Sequence, residues 1–196
     1  MYDYEALRRR IREEQPGRAA HVFGCEETAV HLAQLWGADV EKARFAALLH
    51  DITKQYSHTE QLKFVKKYDI LIDKDFDRFP MLAHAVTGAA VAAAEYGADP
   101  EVVGAVRYHT TGRPGMTLLE KIIYLADYIE PTRSFAGLDQ CRALAERDLD
   151  AAVLNATASC IIYNIGKNRP IHPITIAAYN DMVEGTKEKK ADENRL

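Results

Sequence analysis

Apolar residues recur every three or four positions along most of this chain, and Gly, Pro and Asp divide the pattern into helices. Tyr4, Leu7 and Ile11 mark the first stripe, which Pro16-Gly17 ends. A second helix is expected over residues 18–36, with Val22, Cys25, Ala29, Leu32, Ala33 and Trp36 on one face. Gly37-Ala38-Asp39 supplies a C-cap glycine and then an N-cap Asp, so residues 40–54 read as the third helix, with Ala43, Ala47, His50 and Lys54 on one side. A charged, aromatic stretch follows with a short helix at 59–68. Ile70-Leu71-Ile72 could pair as a strand, but no partner strand is visible, so a loop through Asp73-Lys74-Asp75 is expected. Pro80 opens a helix whose body, 82–96, is rich in Ala and Gly, which lets neighbours approach closely and suits a central position. Gly97-Ala98-Asp99-Pro100 repeats the earlier punctuation, and His109 follows Asp99 at nearly the interval by which His50 follows Asp39. Thr117-Leu118-Leu119-Glu120 has the form of a capping box and starts a strongly apolar helix that runs to Ile129, just before Pro131. Helices at 138–146, 150–166 and 175–183 complete the pattern. The expectation is an all-α bundle of about nine helices. It divides into an N-terminal helix at 1–17, one folded domain at 18–183 and a charged tail at 184–196 that frays.

The 196 residues suit one domain with one core. A net charge of −4 with a pI near 6.0 argues against a nucleic-acid binder, which would carry a basic face. No apolar segment follows Arg8-Arg9-Arg10 as a leader would require, and no apolar run approaches the ~18 residues of a membrane span. Cys25, Cys141 and Cys160 are odd in number and scattered, which suits reduced, buried thiols in a cytoplasmic protein.

The chemistry gathers around His50-Asp51, which ends an apolar run and is costly to bury without a cation. Consecutive helical residues point about 100° apart, so this pair needs ligands from other helices. His21, His84, His109 and Asp127 are the candidates, although His21 alone also reads as a partly exposed residue near a helix start and His84 as a structural residue of an Ala-rich helix, and Asp127 stands in the middle of a strongly apolar helix. Four imidazoles and two carboxylates without thiolate suit first-row divalent ions. Six ligands exceed what one catalytic ion with open positions needs, so two ions bridged by Asp51 are expected, activating a water for attack on phosphorus. Two divalent ions, two carboxylates and a hydroxide leave about one net positive charge, which suits a polyanionic substrate. Lys54, Arg113 and Arg133 would steady its phosphate oxygens, although a solvated last-turn lysine is the alternative for Lys54. The polar loop Thr110-Thr111-Gly112-Arg113 after His109 is placed to bind substrate. His31, His58 and His172 are left as structural or surface residues.

The order His, His-Asp, His, His, Asp resembles the HD superfamily of metal-dependent phosphohydrolases. The stretches Arg18-Ala19-Ala20-His21-Val22, Leu48-Leu49-His50-Asp51-Ile52-Thr53-Lys54, Leu82-Ala83-His84, Arg107-Tyr108-His109-Thr110-Thr111-Gly112-Arg113 and Leu119 to Pro131 resemble the YqeK family of bacterial symmetrical diadenosine tetraphosphatases. The resemblance implies an HD-domain helical bundle with a central dinuclear site. The implied reaction is cleavage of diadenosine tetraphosphate to two ADP at a di-iron centre, with manganese as the alternative metal. It also implies that His21, His50, Asp51, His84, His109 and Asp127 are ligands, and that Thr110, Thr111, Gly112, Arg113 and Arg133 hold the nucleotide. Ala20 departs from the larger, often acidic residue expected before His21. Ile171-His172-Pro173 also fits the family, without a derivable role. The metal ligands see only phosphate, so a nucleoside mono- or triphosphate or a cyclic dinucleotide is the alternative substrate, and a homodimer is left open. A non-catalytic binding module is disfavoured by the complete ligand set.

Overall fold

The computed structural model describes residues 3–72 and 75–193. Among these residues it contains helices and no strand: α1 (Tyr4–Glu14), α2 (Ala19–Trp36), α3 (Val40–Leu49), α4 (His58–Lys67), α5 (Asp75–Arg78), a 3-10 turn (Pro80–Leu82), α6 (Ala83–Tyr96), α7 (Pro100–Tyr108), α8 (Leu118–Ile129), α9 (Leu138–Ala145), α10 (Leu149–Gly166) and α11 (Pro173–Glu193). The all-α expectation holds. No helix among the described residues is long and apolar enough to cross a membrane.

Local chemistry sets most boundaries. Asp39 and Asp99 each accept two backbone N–H bonds at the starts of α3 and α7, while Gly37 and Gly97 close α2 and α6 in the left-handed region at φ 73° and 62°. The capping box of α8 forms as expected between Thr117 and Glu120. Three boundaries differ from the sequence expectation. α3 stops at Leu49, and residues 50–55 tighten into turns in which Ile52 donates to Leu49 and Lys54 to Asp51. His50 and Asp51 stand in this tighter winding, with His50 Nε2 3.4 Å from Asp51 Oδ2. α5 is a single turn, too short to show periodicity, and follows Asp73 and Lys74, which lie outside the described residues. The final helix begins at Pro173 and runs to Glu193, past the expected helix end at Val183, because Gly185 alone does not break a chain that holds no further proline.

α8 is the axis of the core. Leu119, Ile122, Ile123 and Leu125 are at most 1% exposed and meet α2, α7 and α10 around it. Leu32 of α2 and Phe45, Leu48 and Leu49 of α3 fill the same core, each burial contributing about 1.5–3 kcal/mol. Ala89 and Ala92 let α6 lie close to α7. The N-terminal helix is tied down by Arg8, which pairs with the buried Glu26 of α2, as Arg44 of α3 does at 2.9 Å.

Candidate metal centre

Every one of the six candidate ligands stands at or near a helix end, and all of those ends converge. His21 is in the first turn of α2, His84 opens α6, His50 and His109 cap α3 and α7, and Asp127 lies in the last turn of α8. Asp51 follows His50 in the tight turn.

Three of the imidazoles are fixed in the same way. The Nδ1 atoms of His50, His84 and His109 face the carbonyls of Ala47 at 2.6 Å, Met81 at 3.0 Å and Val106 at 2.7 Å. A carbonyl can only accept, so each Nδ1 carries the proton and each Nε2 turns its lone pair inward. His21 is held differently, with Nδ1 3.0 Å from Oε1 of Glu130, a fully buried carboxylate. Thr132 fixes that carboxylate through its backbone N–H at 2.6 Å and its hydroxyl at 2.5 Å. Gly24 makes the approach possible, since a Cβ there would stand 2.6 Å from Glu130 Oε2.

The four Nε2 atoms sort onto the two oxygens of Asp51. Oδ2 lies 3.4 Å from His50 Nε2 and 3.6 Å from His21 Nε2, while Oδ1 lies 3.2 Å from His84 Nε2 and 3.7 Å from His109 Nε2. Within the pairs, the His21 and His50 nitrogens are 3.3 Å apart and those of His84 and His109 3.2 Å. Asp127 Oδ1 joins the first pair, 3.2 Å from His21 Nε2. Donors about 2.1 Å from one ion stand about 3 to 3.5 Å apart, so the donor set fits divalent metal. The Cys25 thiol, expected as packing, is buried but also stands 3.7 Å from His21 Nε2, and His21, Cys25, His50 and Asp127 form a group able to hold an ion. Cys141 is buried as expected; Cys160 is partly exposed.

Charge in the site is closely coupled. Burial opposes ionisation of Asp51 and Asp127, yet the surrounding imidazoles outweigh it and hold both well below the usual carboxylate range. Burial also opposes a charge on His21, but its bonds to Asp127 and Asp51 override this and raise its pKa to about 9. For His84 burial wins, and its pKa is pushed down to about 4.

Of the expected substrate residues, Lys54 and Arg133 reach the centre. Lys54 Nζ is 3.3 Å from His84 Nε2, and Arg133 Nη2 donates to Asp127 Oδ1 at 2.7 Å. Arg113 is held elsewhere: its Nε donates to the buried Glu120 at 3.0 Å. Gly112 sits at φ 63°, where a Cβ would meet Met116 Sδ at 3.3 Å, so it shapes the loop. Thr110 and Thr111 line a cleft beside the centre. Two residues escaped the sequence reading. Arg18 pairs with Asp51 Oδ2, and Glu130 anchors His21. A spacing of three was the available signal, since Arg18 precedes His21 and Glu130 follows Asp127 by one helical turn.

The HD domain family matches residues 18–132. The chain is 42% identical over 86% of its length to the symmetrical bis(5'-nucleosyl)-tetraphosphatase of Bacillus subtilis, covering 91% of that protein. It is 43% identical over 85% of its length to the enzyme of the same name from Halalkalibacterium halodurans, covering 89% of it. Among solved structures, a predicted HD superfamily hydrolase from Clostridium acetobutylicum, described as involved in NAD metabolism, superimposes with a TM-score of 0.89 at 35% identity, over 94% of this chain and 98% of that one. Ligand order, converging helix ends and these relatives agree: the chain belongs to the HD-domain family and, within it, to the symmetrical bis(5'-nucleosyl)-tetraphosphatases.

Proposed function

We propose that this protein hydrolyses diadenosine tetraphosphate and related dinucleoside polyphosphates symmetrically, giving two molecules of ADP. The observation that carries the reading is the division of four inward Nε2 atoms between the two oxygens of Asp51, in a chain whose relatives bear that activity in their names. His21, His50 and Asp127 would hold one divalent ion and His84 and His109 a second, with Asp51 shared between them; iron is the first choice and manganese the alternative. When bound, such ions lower the pKa of a coordinated water and polarise phosphoryl oxygens.

The protein's own part is orientation and charge. Backbone carbonyls and Glu130 keep all four imidazoles in the tautomer that offers Nε2. Arg18, Lys54 and Arg133 surround the carboxylates and would take up the oxygens of a polyphosphate and of the departing diphosphate, giving local positive charge in an acidic chain. Thr110 and Thr111 face the nucleoside, while Gly112 and Arg113 hold their loop in shape. Free thiols suit a reducing cytoplasm. Product analysis tests the reading: diadenosine tetraphosphate should give ADP alone, and AMP with ATP, or no turnover of the dinucleotide beside other nucleotides, would overturn it.

A further inference from the structure

We propose that Cys25 is a sulfur ligand on the Oδ2 side of the centre, so that this side takes thiophilic divalent ions such as zinc, cobalt and iron in preference to manganese; the inference rests on the metal assignment above. Cys25 follows His21 by four residues along α2, which puts both on one face of the helix, with the later side chain leaning back toward the earlier one. Its Sγ stands 3.7 Å from His21 Nε2 and 3.8 Å from His21 Nδ1, and the residue is 1% exposed. The thiol does not stand alone. One donor atom from each of His21, Cys25, His50 and Asp127 lies within 4.8 Å of the other three.

Two imidazoles, a carboxylate and a thiol make a mixed set of four. An ion bound at about 2.0 to 2.3 Å in a tetrahedron keeps its nitrogen and sulfur donors about 3.5 Å apart. The separations of His21 from His50 at 3.3 Å, from Asp127 at 3.2 Å and from Cys25 at 3.7 Å already lie close to this. Among the described residues, the second group of donors able to hold an ion, His50, Asp51 and His109, contains no sulfur. The other thiols are placed elsewhere: Cys141 Sγ donates to the Ala152 carbonyl at 3.6 Å, and Cys160 lies on α10. On coordination the Cys25 sulfhydryl gives its proton to solvent and a sulfur electron pair to the ion. Thiolate is a soft donor, so it favours zinc, cobalt and iron over manganese more than nitrogen and oxygen donors do by themselves. The two sides of Asp51 then differ in ligand type as well as in charge.

The test titrates metal-free protein with cobalt(II), which reports sulfur ligation through a near-ultraviolet charge-transfer band that nitrogen and oxygen donors do not give. The first equivalent should produce the band in wild type. Cys25→Val, which removes the sulfur at nearly constant volume, should bind cobalt without it, and Cys160→Ser should keep it. The ratio of zinc to manganese affinity should fall about tenfold or more in Cys25→Val, the loss that even partners outside the ligand shell produce. X-ray absorption of wild type carrying one equivalent of zinc needs no variant, so it decides where Cys25→Val fails to keep its helical signal; it should show one sulfur at about 2.3 Å. A shell of nitrogen and oxygen alone, a band that persists in Cys25→Val, or an unchanged zinc-to-manganese ratio overturns the assignment. The readings fail separately. Metal bound without sulfur refutes the role of Cys25 and leaves the centre, whereas a protein that binds neither cobalt nor zinc refutes both. A sulfur signature in a protein that leaves diadenosine tetraphosphate intact refutes the substrate and retains Cys25.

Discussion

The two sides of Asp51 use the same ligand type in opposite electrostatic settings. Around Oδ2, His21 is flanked by Asp127 and by Glu130, and its pKa rises to about 9 against the cost of burial. Around Oδ1, His84 and His109 are anchored only by carbonyls, Lys54 stands close by, and burial drives the His84 pKa down to about 4. The imidazoles differ little; the carboxylates beside His21 and the burial of His84 decide which of these two carries a proton. An ion on the Oδ2 side meets a second carboxylate, Asp127, but also Arg18 and Arg133 and a proton to displace, whereas one on the Oδ1 side meets His84, held neutral by burial, with Lys54 close by. With three donors besides Asp51 against two, the Oδ2 side is expected to hold its ion more tightly, and the Oδ1 side to release it first.

Asp51→Ala removes the carboxylate common to both sides and should have the largest effect, about a thousandfold or more in kcat/KM with loss of nearly all bound metal and a retained helical spectrum. Unchanged turnover would show that the sides do not share it. The next effect separates them. His84→Ala and Asp127→Ala should each leave about half of the metal by elemental analysis, and Glu130→Gln should weaken only the Oδ2 side, by about 10- to 100-fold. If Glu130→Gln lowers both equally, the carboxylate supports the whole bundle instead of one imidazole.

Smaller still is the contrast between cations. Arg18→Ala should raise KM about tenfold. Arg113→Ala should leave KM near wild type but lower Tm, by roughly 2–4 °C for each kcal/mol lost, because it strips the partner from the buried Glu120. A KM effect in Arg113→Ala without a Tm effect would return that residue to the substrate. The smallest effect is on pH. In metal-free protein the His21 pKa is raised, so its contribution to stability is complete below about 6.5 and is lost as the pH climbs through about 9. Thermal unfolding of metal-free protein should weaken across that window, the metal-loaded form should not follow, and His21→Ala should reduce the slope and leave the part due to His50, which Asp51 raises against the cost of burial. A slope unchanged in His21→Ala assigns all of it to other groups.

Helix existence was legible from short-range rules. The Asp39 and Asp99 caps, the glycines that end α2 and α6 and the Thr117–Glu120 box each act within four residues. His50, Asp51 and Asp127 stood out in apolar surroundings, whereas His21 and His84 read alone as ordinary structural residues and joined the set through the resemblance. The echo between Asp39 to His50 and Asp99 to His109 became two similar segments, each with an Asp cap at its start and a terminal imidazole bonded to the carbonyl three residues before it.

What periodicity could not supply was direction and partnership across the chain. That α3 yields to a tight turn at His50, that Glu130 reaches His21 past Gly24, and that Arg113 belongs to Glu120 while Arg18 belongs to Asp51 are all outcomes of which helix ends meet. The cleft walls come from positions as distant as Phe76, Tyr108 and His172, each of which reads as an ordinary aromatic in its own segment. The amino-acid sequence by itself determined an all-helical chain, because local hydrogen bonds and burial act between near neighbours. Only the tertiary structure decided which donor faces which oxygen of Asp51, because those distances depend on how separate helices pack against α8.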